Sequence, residues 1–295
     1  MNQFTIGDIE NLCGIKAHTL RIWEQRYKVF VPKRKQSNHR TYSNDDLKEL
    51  LRISFLYHNN YKISKIAQLN REEIKQEVET VSIRENNYPV FISQLIEASI
   101  DLDKERFEKI VNNIVLRIGL EKSIKGVFCP FLHRIGLLWM TNNVIPAQEH
   151  FASHIIRKKI ICATDGLDVP TNPDYNIVLF TPRGEHHEIP LLIVNYYLRK
   201  QNIRTTYLGA DVPLEAIRMY AAKQRVTHLY MHVIANLSGI NLQDQVRSIC
   251  RDFPDKKIMI SGPAMKNIED RPLNLCVINS LDEMINFACC PQSKN

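Results

Sequence analysis

The sequence lacks the features of membrane, fibrous and disulfide-linked proteins. No hydrophobic stretch approaches the roughly 18 residues that a membrane-spanning helix needs. The 10 glycines and 13 prolines are too few for a collagen-like or low-complexity chain of 295 residues. The seven cysteines form no CxxC pair, which argues against a zinc ribbon or a disulfide framework. The first residues also lack the basic and then apolar pattern of a signal peptide, so we expect a cytoplasmic protein without membrane contacts.

The composition is that of a globular protein whose charge is concentrated at one end. Hydrophobic residues make up 44% of the chain and charged residues 24%, and the length predicts two or three domains. Residues 1–75 have a net charge of +6, whereas the other 220 residues have a net charge of only +1. A small basic domain beside a neutral body is typical of a phosphate-binding module, and a solvated basic face is the alternative.

The basic segment predicts a helix-turn-helix followed by a wing. A first helix starts after Thr5, a tight turn surrounds Gly14, and a second helix over residues 17–27 places Leu20, Trp23 and Tyr27 on one apolar face. A second helix with exposed basic residues after such a turn fits the major groove of DNA. The next residues predict two short strands around a polar turn, and their cations suit phosphate contacts: Lys33, Arg34, Lys35 and Arg40.

Four motifs in this segment occur together in one family. In chain order they are T-I-G-D-I, H-T-L-R-I-W-E-Q-R-Y, P-K-R and N-H-R-T-Y-S-N-D-D-L, and with this spacing the segment resembles the winged helix-turn-helix of MerR-family regulators. The resemblance implies a dimer on a two-fold symmetric operator. The cysteines that the metal-sensing branch carries after its dimerisation helix are missing, which disfavours mercury or copper sensing. Together with the wing cations, the resemblance predicts seven DNA-contacting residues: His18, Arg21, Arg26, Lys33, Arg34, Arg40 and Tyr42.

The rest of the chain predicts two further domains, so the expected fold class is multidomain, α followed by α/β. After a polar linker over residues 76–90, apolar residues recur at helical spacing through residues 91–162, interrupted at Pro130 and Pro146, which predicts a four-helix bundle. Residues 176–295 then alternate short β-rich runs with helices. Five runs predict a parallel, doubly wound, Rossmann-like sheet: residues 177–180, 205–209, 227–234, 257–261 and 275–279.

The end of the first predicted strand is dense in polar residues. Glu185, His186, His187 and Glu188 follow it, at the edge where doubly wound sheets bind their ligands. Imidazole and carboxylate groups suit a metal or cofactor site, and the alternative is that both histidines are ordinary surface residues.

A second resemblance covers the bundle and the sheet. The motifs G-E-H-H-E-I-P and Y-L-G-A-D-V-P, behind a MerR-like head, resemble the cobalamin-binding domain of CarH-type and LitR-type light-dependent repressors. The resemblance implies that His187 is the lower axial ligand of cobalt, and that Glu185 or Glu188 orients its ring. It assigns the upper face of the corrin ring and the rest of the cofactor site, between bundle and sheet, to six residues: Trp139, Glu149, His150, Gly209, Val212 and Gly262.

Three positions depart from that family, all near the pocket for the nucleotide tail of the cofactor. Pro190 stands where the family has glycine, residues 231–236 lack its serine, and Pro263 replaces the second of two glycines. The sequence therefore predicts a retained ring site and an altered tail site. Three alternatives stay open: weak cobalamin binding, binding of a truncated or different corrinoid or tetrapyrrole, and loss of the ligand with the scaffold retained.

The leading hypothesis is a transcription regulator that binds a palindromic operator under the control of a corrinoid. If the resemblance extends to mechanism, adenosylcobalamin favours a tetramer on DNA and light releases it. The alternative is a ligand-independent regulator whose degenerate domain binds a protein partner such as an antirepressor. An enzyme is not expected because no substrate domain is recognisable, and a zinc hydrolase built from His150, His154 and His187 lacks an HExxH signature.

Overall fold

The computed structural model describes residues 4–30, 33–34, 40–84, 88–140, 145–234, 241–268 and 271–289. Side chains are described throughout these ranges except at positions 33, 34, 79, 80, 82–84, 139, 140, 266 and 267. By its internal contacts the chain divides into two units, Met1–Ile156 and Arg157–Asn295. None of the described helices has the length and apolar composition needed to cross a membrane.

The first unit begins with the predicted helix-turn-helix. Helix α1 (Ile6–Cys13) starts at a capping box in which the Thr5 and Asp8 side chains each accept a hydrogen bond from the other's main-chain N–H. Gly14, at a φ of 69°, ends α1 in the left-handed conformation that glycine adopts readily. Helix α2 (Ala17–Tyr27) follows directly, so the local signals alone account for this motif.

Two short strands and three helices complete the head. Strands β1 (Lys33–Arg34) and β2 (Arg40–Thr41) pair antiparallel, as the predicted wing requires. Helix α3 (Asn44–His58) starts at a second capping box, formed by Ser43 and Asp46. The last two helices of the head are α4 (Ile63–Ile66) and α5 (Arg71–Arg84).

The prediction of a linker starting at residue 76 is corrected by α5. Residues 76–84 continue this helix. Their own helix propensity is mixed, but α5 buries Ile74 and Val78 one turn apart, and this packing continues the helix. A polar stretch with one narrow apolar face is therefore a helix here, although its composition resembles that of a linker.

Four helical segments form the predicted bundle. The first, second and fourth are α6 (Tyr88–Ile100), α7 (Lys104–Ile118) and α10 (Pro146–Asp165). The third is a continuous helical rod, which consists of α8 (Leu120–Ser123), a π-helical turn (Ile124–Phe128) and α9 (Cys129–Met140). Pro130 was expected to interrupt the pattern, but it lies within the rod as the second residue of α9. Proline has no N–H for the carbonyl one turn earlier, and the wider π turn that precedes it accommodates this loss.

Ion pairs and one backbone contact attach the head to the bundle within the first unit. The Glu97 side chain of α6 is 3% exposed, and its Oε2 lies 2.9 Å from guanidinium nitrogens of both Arg52 and Arg106. Arg134 of α9 donates to the main-chain carbonyl of Leu12, at the C-terminal end of α1, at 3.1 Å. Helix α1, which supports the recognition helix, is therefore in direct contact with the bundle.

The second unit is the predicted five-stranded parallel sheet. Its strands are β3 (Asn172–Pro182), β4 (Ile203–Val212), β5 (His228–His232), β6 (Lys257–Ser261) and β7 (Leu275–Ile278), in the spatial order β4-β3-β5-β6-β7. Between and after them lie α11 (Ile189–Lys200), α12 (Leu214–Lys223), α13 (Leu242–Asp252), a 3₁₀ turn (Pro263–Asn267) and α14 (Leu281–Cys289). β5 is buried along its whole length and most of β3 and β6 is buried, as expected for a sheet covered by helices.

Candidate functional site

The recognition helix α2 buries two of the three residues on its predicted apolar face, whereas Tyr27, in its last turn, is only partly buried. Leu20 and Trp23 are buried, and the Trp23 ring packs edge-on against Tyr57, with 4.8 Å between ring centroids. Three predicted DNA contacts lie on the exposed face of α2: His18, Arg21 and Arg26.

The predicted wing contact Arg40 is tied to the recognition helix. Its Nε lies 2.6 Å from Oε2 of Glu24, which belongs to α2, and only 19% of the Arg40 side chain is exposed. This charge-assisted hydrogen bond raises the pKa of Arg40. The bond connects β2 to α2, so the wing and the recognition helix are positioned together. Three other predicted wing cations cannot be placed: the side chains of Lys33 and Arg34 and the whole of Lys35 lie outside the described part of the chain.

Tyr42 lies deeper than an ordinary wing residue. It is 1% exposed and packs against Phe30, with 6.0 Å between ring centroids. Its hydroxyl group is buried and has no hydrogen-bond partner among the described residues. Burial, with a smaller contribution from Glu24, raises the pKa of Tyr42 to about 12, while the charges of Arg40 and Arg21 act in the opposite direction. An unsatisfied hydroxyl donor close to two guanidinium groups suits an anionic oxygen.

In the second unit, Glu185 is the centre of the polar cluster at the carboxyl end of β3. The residue is 1% exposed. Its Oε1 accepts the main-chain N–H of His187 at 2.9 Å and lies 2.5 Å from Nδ1 of the same residue. Its Oε2 accepts the main-chain N–H of Ile234 at 2.6 Å. One buried carboxylate therefore joins the loops that follow β3 and β5.

His187 is oriented by this carboxylate while its side chain stays 47% exposed. An ionised carboxylate only accepts hydrogen bonds, so Nδ1 of the ring carries the proton and donates. A metal ion would then bind at Nε2, the arrangement in which a carboxylate fixes the tautomer of a ligating histidine. Of the two orienting carboxylates that the sequence left open, Glu185 therefore occupies this role.

The other carboxylate, Glu188, contacts two residues that sequence reasoning missed. The Tyr207 hydroxyl donates to its Oε2 at 2.5 Å, and the Arg157 guanidinium lies 2.5 Å from its Oε1. Burial, and then the bond to Glu188, raises the pKa of Tyr207. Tyr207 precedes the predicted motif glycine Gly209 by two residues, whereas nothing in the helical pattern of residues 146–165 singles out Arg157.

A buried polar chain lies at the ends of β5 and β6. The Tyr230 hydroxyl donates to Oγ of Ser261 at 2.8 Å, and Nδ1 of His232 lies 2.7 Å from the same oxygen. Burial lowers the pKa of His232 to about 4, so this ring is neutral at neutral pH. The charges of Glu185 and His187 also act on His232, which places it beside the first cluster. No pattern in the sequence predicts this extension of the site.

The loops assigned to the nucleotide tail are in close contact with each other. A Cβ atom at Gly262 would lie 2.1 Å from the carbonyl oxygen of Val233, and the Val233 N–H donates to the carbonyl of Ser261 at 2.9 Å. Pro263 begins the 3₁₀ turn, and Pro190 lies in the first turn of α11, where proline is tolerated.

The other two residues predicted on this side have different surroundings. Gly209 lies where the pairing of β3 with β4 is irregular. The Val212 side chain is buried in the hydrophobic core of the second unit.

The predicted upper-face residues belong to the first unit. Nδ1 of His150 lies 2.8 Å from Oε2 of Glu149, and the His150 side chain is 77% exposed. Trp139 belongs to α9, and its side chain lies outside the described part of the chain. Among the residues described, no group of three or more His, Cys, Asp or Glu residues is arranged to hold a metal ion, so the zinc hydrolase alternative gains no support.

Comparison with known proteins agrees with both resemblances. Residues 4–73 match the MerR HTH family of regulatory proteins, and residues 92–162 match the B12 binding domain. The chain is 29% identical to the HTH-type transcriptional repressor CarA of Myxococcus xanthus over 72% of this chain and 70% of CarA. It is 24% identical to the HTH-type transcriptional repressor CarH of the same organism over 90% of each chain. The monomethylamine corrinoid protein of Methanosarcina barkeri shares the fold over 66% of this chain and 95% of its own, with a TM-score of 0.53 and 15% identity.

The fold and these matches define the class of this protein: it is a MerR-type transcriptional regulator with a B12-binding domain. Within that class the chain is homologous to the CarA and CarH repressors, as its motifs predicted.

Proposed function

We propose that this regulator binds a palindromic operator as a dimer or tetramer, and that adenosylcobalamin and light control the assembly. The homologous proteins are transcriptional repressors, which supports a regulator in the cytoplasm rather than an enzyme. In the head, Arg21, Arg40 and the Tyr42 hydroxyl, which has no partner among the residues described, support contacts to DNA phosphates.

The Glu185–His187 pair is the observation that carries the corrinoid proposal. A buried carboxylate holds the imidazole at the carboxyl edge of a parallel sheet, where such sheets bind their ligands. This donor set fits a cobalt ion, which accepts nitrogen ligands readily. When bound, adenosylcobalamin supplies a cobalt–carbon bond that light can break. We assign the opposite face of the corrin ring to Trp139, Glu149 and His150.

Replacing His187 by alanine is expected to weaken cobalamin binding at least about tenfold, because the axial nitrogen is lost. The measurement is an absorbance titration of the purified full chain with hydroxocobalamin and adenosylcobalamin in the dark. The wild-type spectrum is expected to show nitrogen ligation of cobalt, and illumination of the adenosyl form is expected to change both spectrum and assembly size.

His186→Ala is the matched control for this prediction. His186 is an exposed histidine in the same loop, so its removal is expected to leave the affinity within about twofold. An unchanged affinity in the His187→Ala variant would contradict axial ligation. Cobinamide, which lacks the nucleotide tail, tests the altered tail pocket, and binding as tight as that of cobalamin is expected.

A ligand-independent regulator that binds a protein partner is the second candidate function. The close contact between Val233 and Gly262, where the tail pocket is expected, favours it. Failure of the wild-type chain to bind either cobalamin or cobinamide would support this candidate.

Replacing Tyr42 by phenylalanine is expected to weaken binding to all duplex sequences by about tenfold, because the hydroxyl, once a local shift at β2 exposes it on DNA, donates a hydrogen bond to a charged phosphate that phenylalanine cannot make. The stability of the protein should be unchanged or higher, since the buried hydroxyl has no partner among the described residues. Tyr42 is neutral, so the dependence of the affinity on salt should keep its slope. Fluorescence anisotropy with duplex DNA at several salt concentrations measures both quantities. Tyr57→Phe is the control, and equal affinities of wild type and Tyr42→Phe would show that this hydroxyl does not contact DNA.

A further inference from the structure

The exposed face of the recognition helix contains one large apolar side chain, Ile22. It is 40% exposed and lies near the middle of α2. His18 and Arg26 lie four residues before and after it, and Gln25 lies three residues after it, so all three are its neighbours on the helix surface. Each of these neighbours is polar and exposed.

Folding of the head does not account for an isoleucine at this position. The apolar face of α2 that packs on the head consists of Leu20 and Trp23, which are both buried. A half-exposed isoleucine gains only part of the stabilisation of burial, and its branched side chain lowers helix propensity. The residue therefore offers an apolar surface within an otherwise hydrogen-bonding face.

We propose that Ile22 packs against the C5-methyl group of a thymine in each half-site of the operator. In the major groove only thymine presents a methyl group, and this group is recognised by apolar contact rather than by a hydrogen bond. Residues 1–75 carry a net charge of +6, and the exposed Arg21 and Arg26 flank Ile22, so the charge of this face is complementary to DNA. Ile22 is then a specificity-determining residue of the head.

This assignment rests on the DNA-binding role of the head and is independent of the corrinoid. Gln25 is suited to adenine, because its amide can donate and accept hydrogen bonds at the same time. Together, Ile22 and Gln25 predict that each half-site contains an A·T pair, and that this pair faces the middle of the recognition helix.

The test removes one methyl group at a time. Duplexes that bind the full-length wild-type chain are selected from a random pool, and each thymine of the selected half-site is then replaced by deoxyuridine in both halves. One position is expected to lower the affinity about fourfold per half-site, which is the effect of removing one buried methyl group. The other positions are expected to change the affinity by less than about twofold.

The Ile22→Ala variant completes a double-mutant cycle, in which the thymine methyl group and the Ile22 side chain are removed separately and together. In this variant deoxyuridine at the sensitive position is expected to have no effect, whereas the Gln25→Ala control should retain the full loss. Circular dichroism verifies that both variants are folded. The inference is overturned if no thymine replacement weakens wild-type binding, or if the loss persists in Ile22→Ala. Failure to select any duplex would overturn the DNA-binding role as well, so the two failures are distinguishable.

Discussion

Replacing Gly262 by alanine is expected to lower the free energy of unfolding of the second unit by about 3 kcal/mol or more. Gly262 has φ 107° and ψ 161°, a region that is essentially restricted to glycine. A Cβ atom there would lie 2.1 Å from the carbonyl oxygen of Val233. Because this oxygen belongs to the backbone, the loops after β5 and β6 would have to separate.

Urea unfolding followed by circular dichroism measures this effect. Both tryptophans, Trp23 and Trp139, belong to the first unit, so tryptophan fluorescence would not report directly on the sheet. Gly136→Ala is the matched control, because Gly136 lies within α9 and a Cβ there meets no atom within 4 Å beyond its chain neighbours and the backbone of its own helix. Alanine at this helical position is expected to be stabilising by about 0.5–1 kcal/mol. Equal stability of wild type and Gly262→Ala would show that the two loops can separate at little cost.

Replacing Glu185 by alanine is expected to weaken cobalamin binding about 10- to 100-fold, because the ring of His187 loses the group that orients it. The same change is expected to lower the free energy of unfolding by about 1–3 kcal/mol, because the N–H of Ile234 loses its acceptor. Absorbance titration with cobalamin and urea unfolding measure the two effects separately.

Two variants separate the role of Glu185 from general effects of removing a carboxylate. Glu215 has a side chain that is 76% exposed and pairs with Arg218 at 3.0 Å, so Glu215→Ala should change stability by less than about 0.5 kcal/mol. Glu185→Gln keeps the size and one acceptor oxygen, and we expect an intermediate cobalamin affinity. Wild-type affinity in Glu185→Ala would show that the carboxylate does not act through His187.

The head was predictable because its signals are local. Thr5 and Asp8 close one capping box within three residues, and Gly14 ends the same helix. The apolar spacing of Leu20 and Trp23 identifies the buried face of α2 without knowledge of any distant contact.

Element boundaries in the rest of the chain were less predictable, because packing decides them. β3 begins at Asn172 rather than at Ile177, since its first residue pairs with Ile203 of β4 and this pairing needs no apolar side chain. In the same way, buried Ile74 and Val78 extend α5 through the predicted linker, and a π turn lets the helical rod continue through Pro130.

The sequence by itself determined the order of the domains, the recognition helix, the parallel sheet and the loop that carries His187. These features follow from spacing and motifs within short segments. Only the tertiary structure decided which partners the two carboxylates have. Glu185 orients the ring of His187 and also accepts a hydrogen bond from the N–H of Ile234, 49 residues away. Glu188 instead contacts Tyr207 and Arg157. The physical reason is that parallel strands bring distant loops to one edge, where each buried carboxylate needs donors that no local pattern specifies.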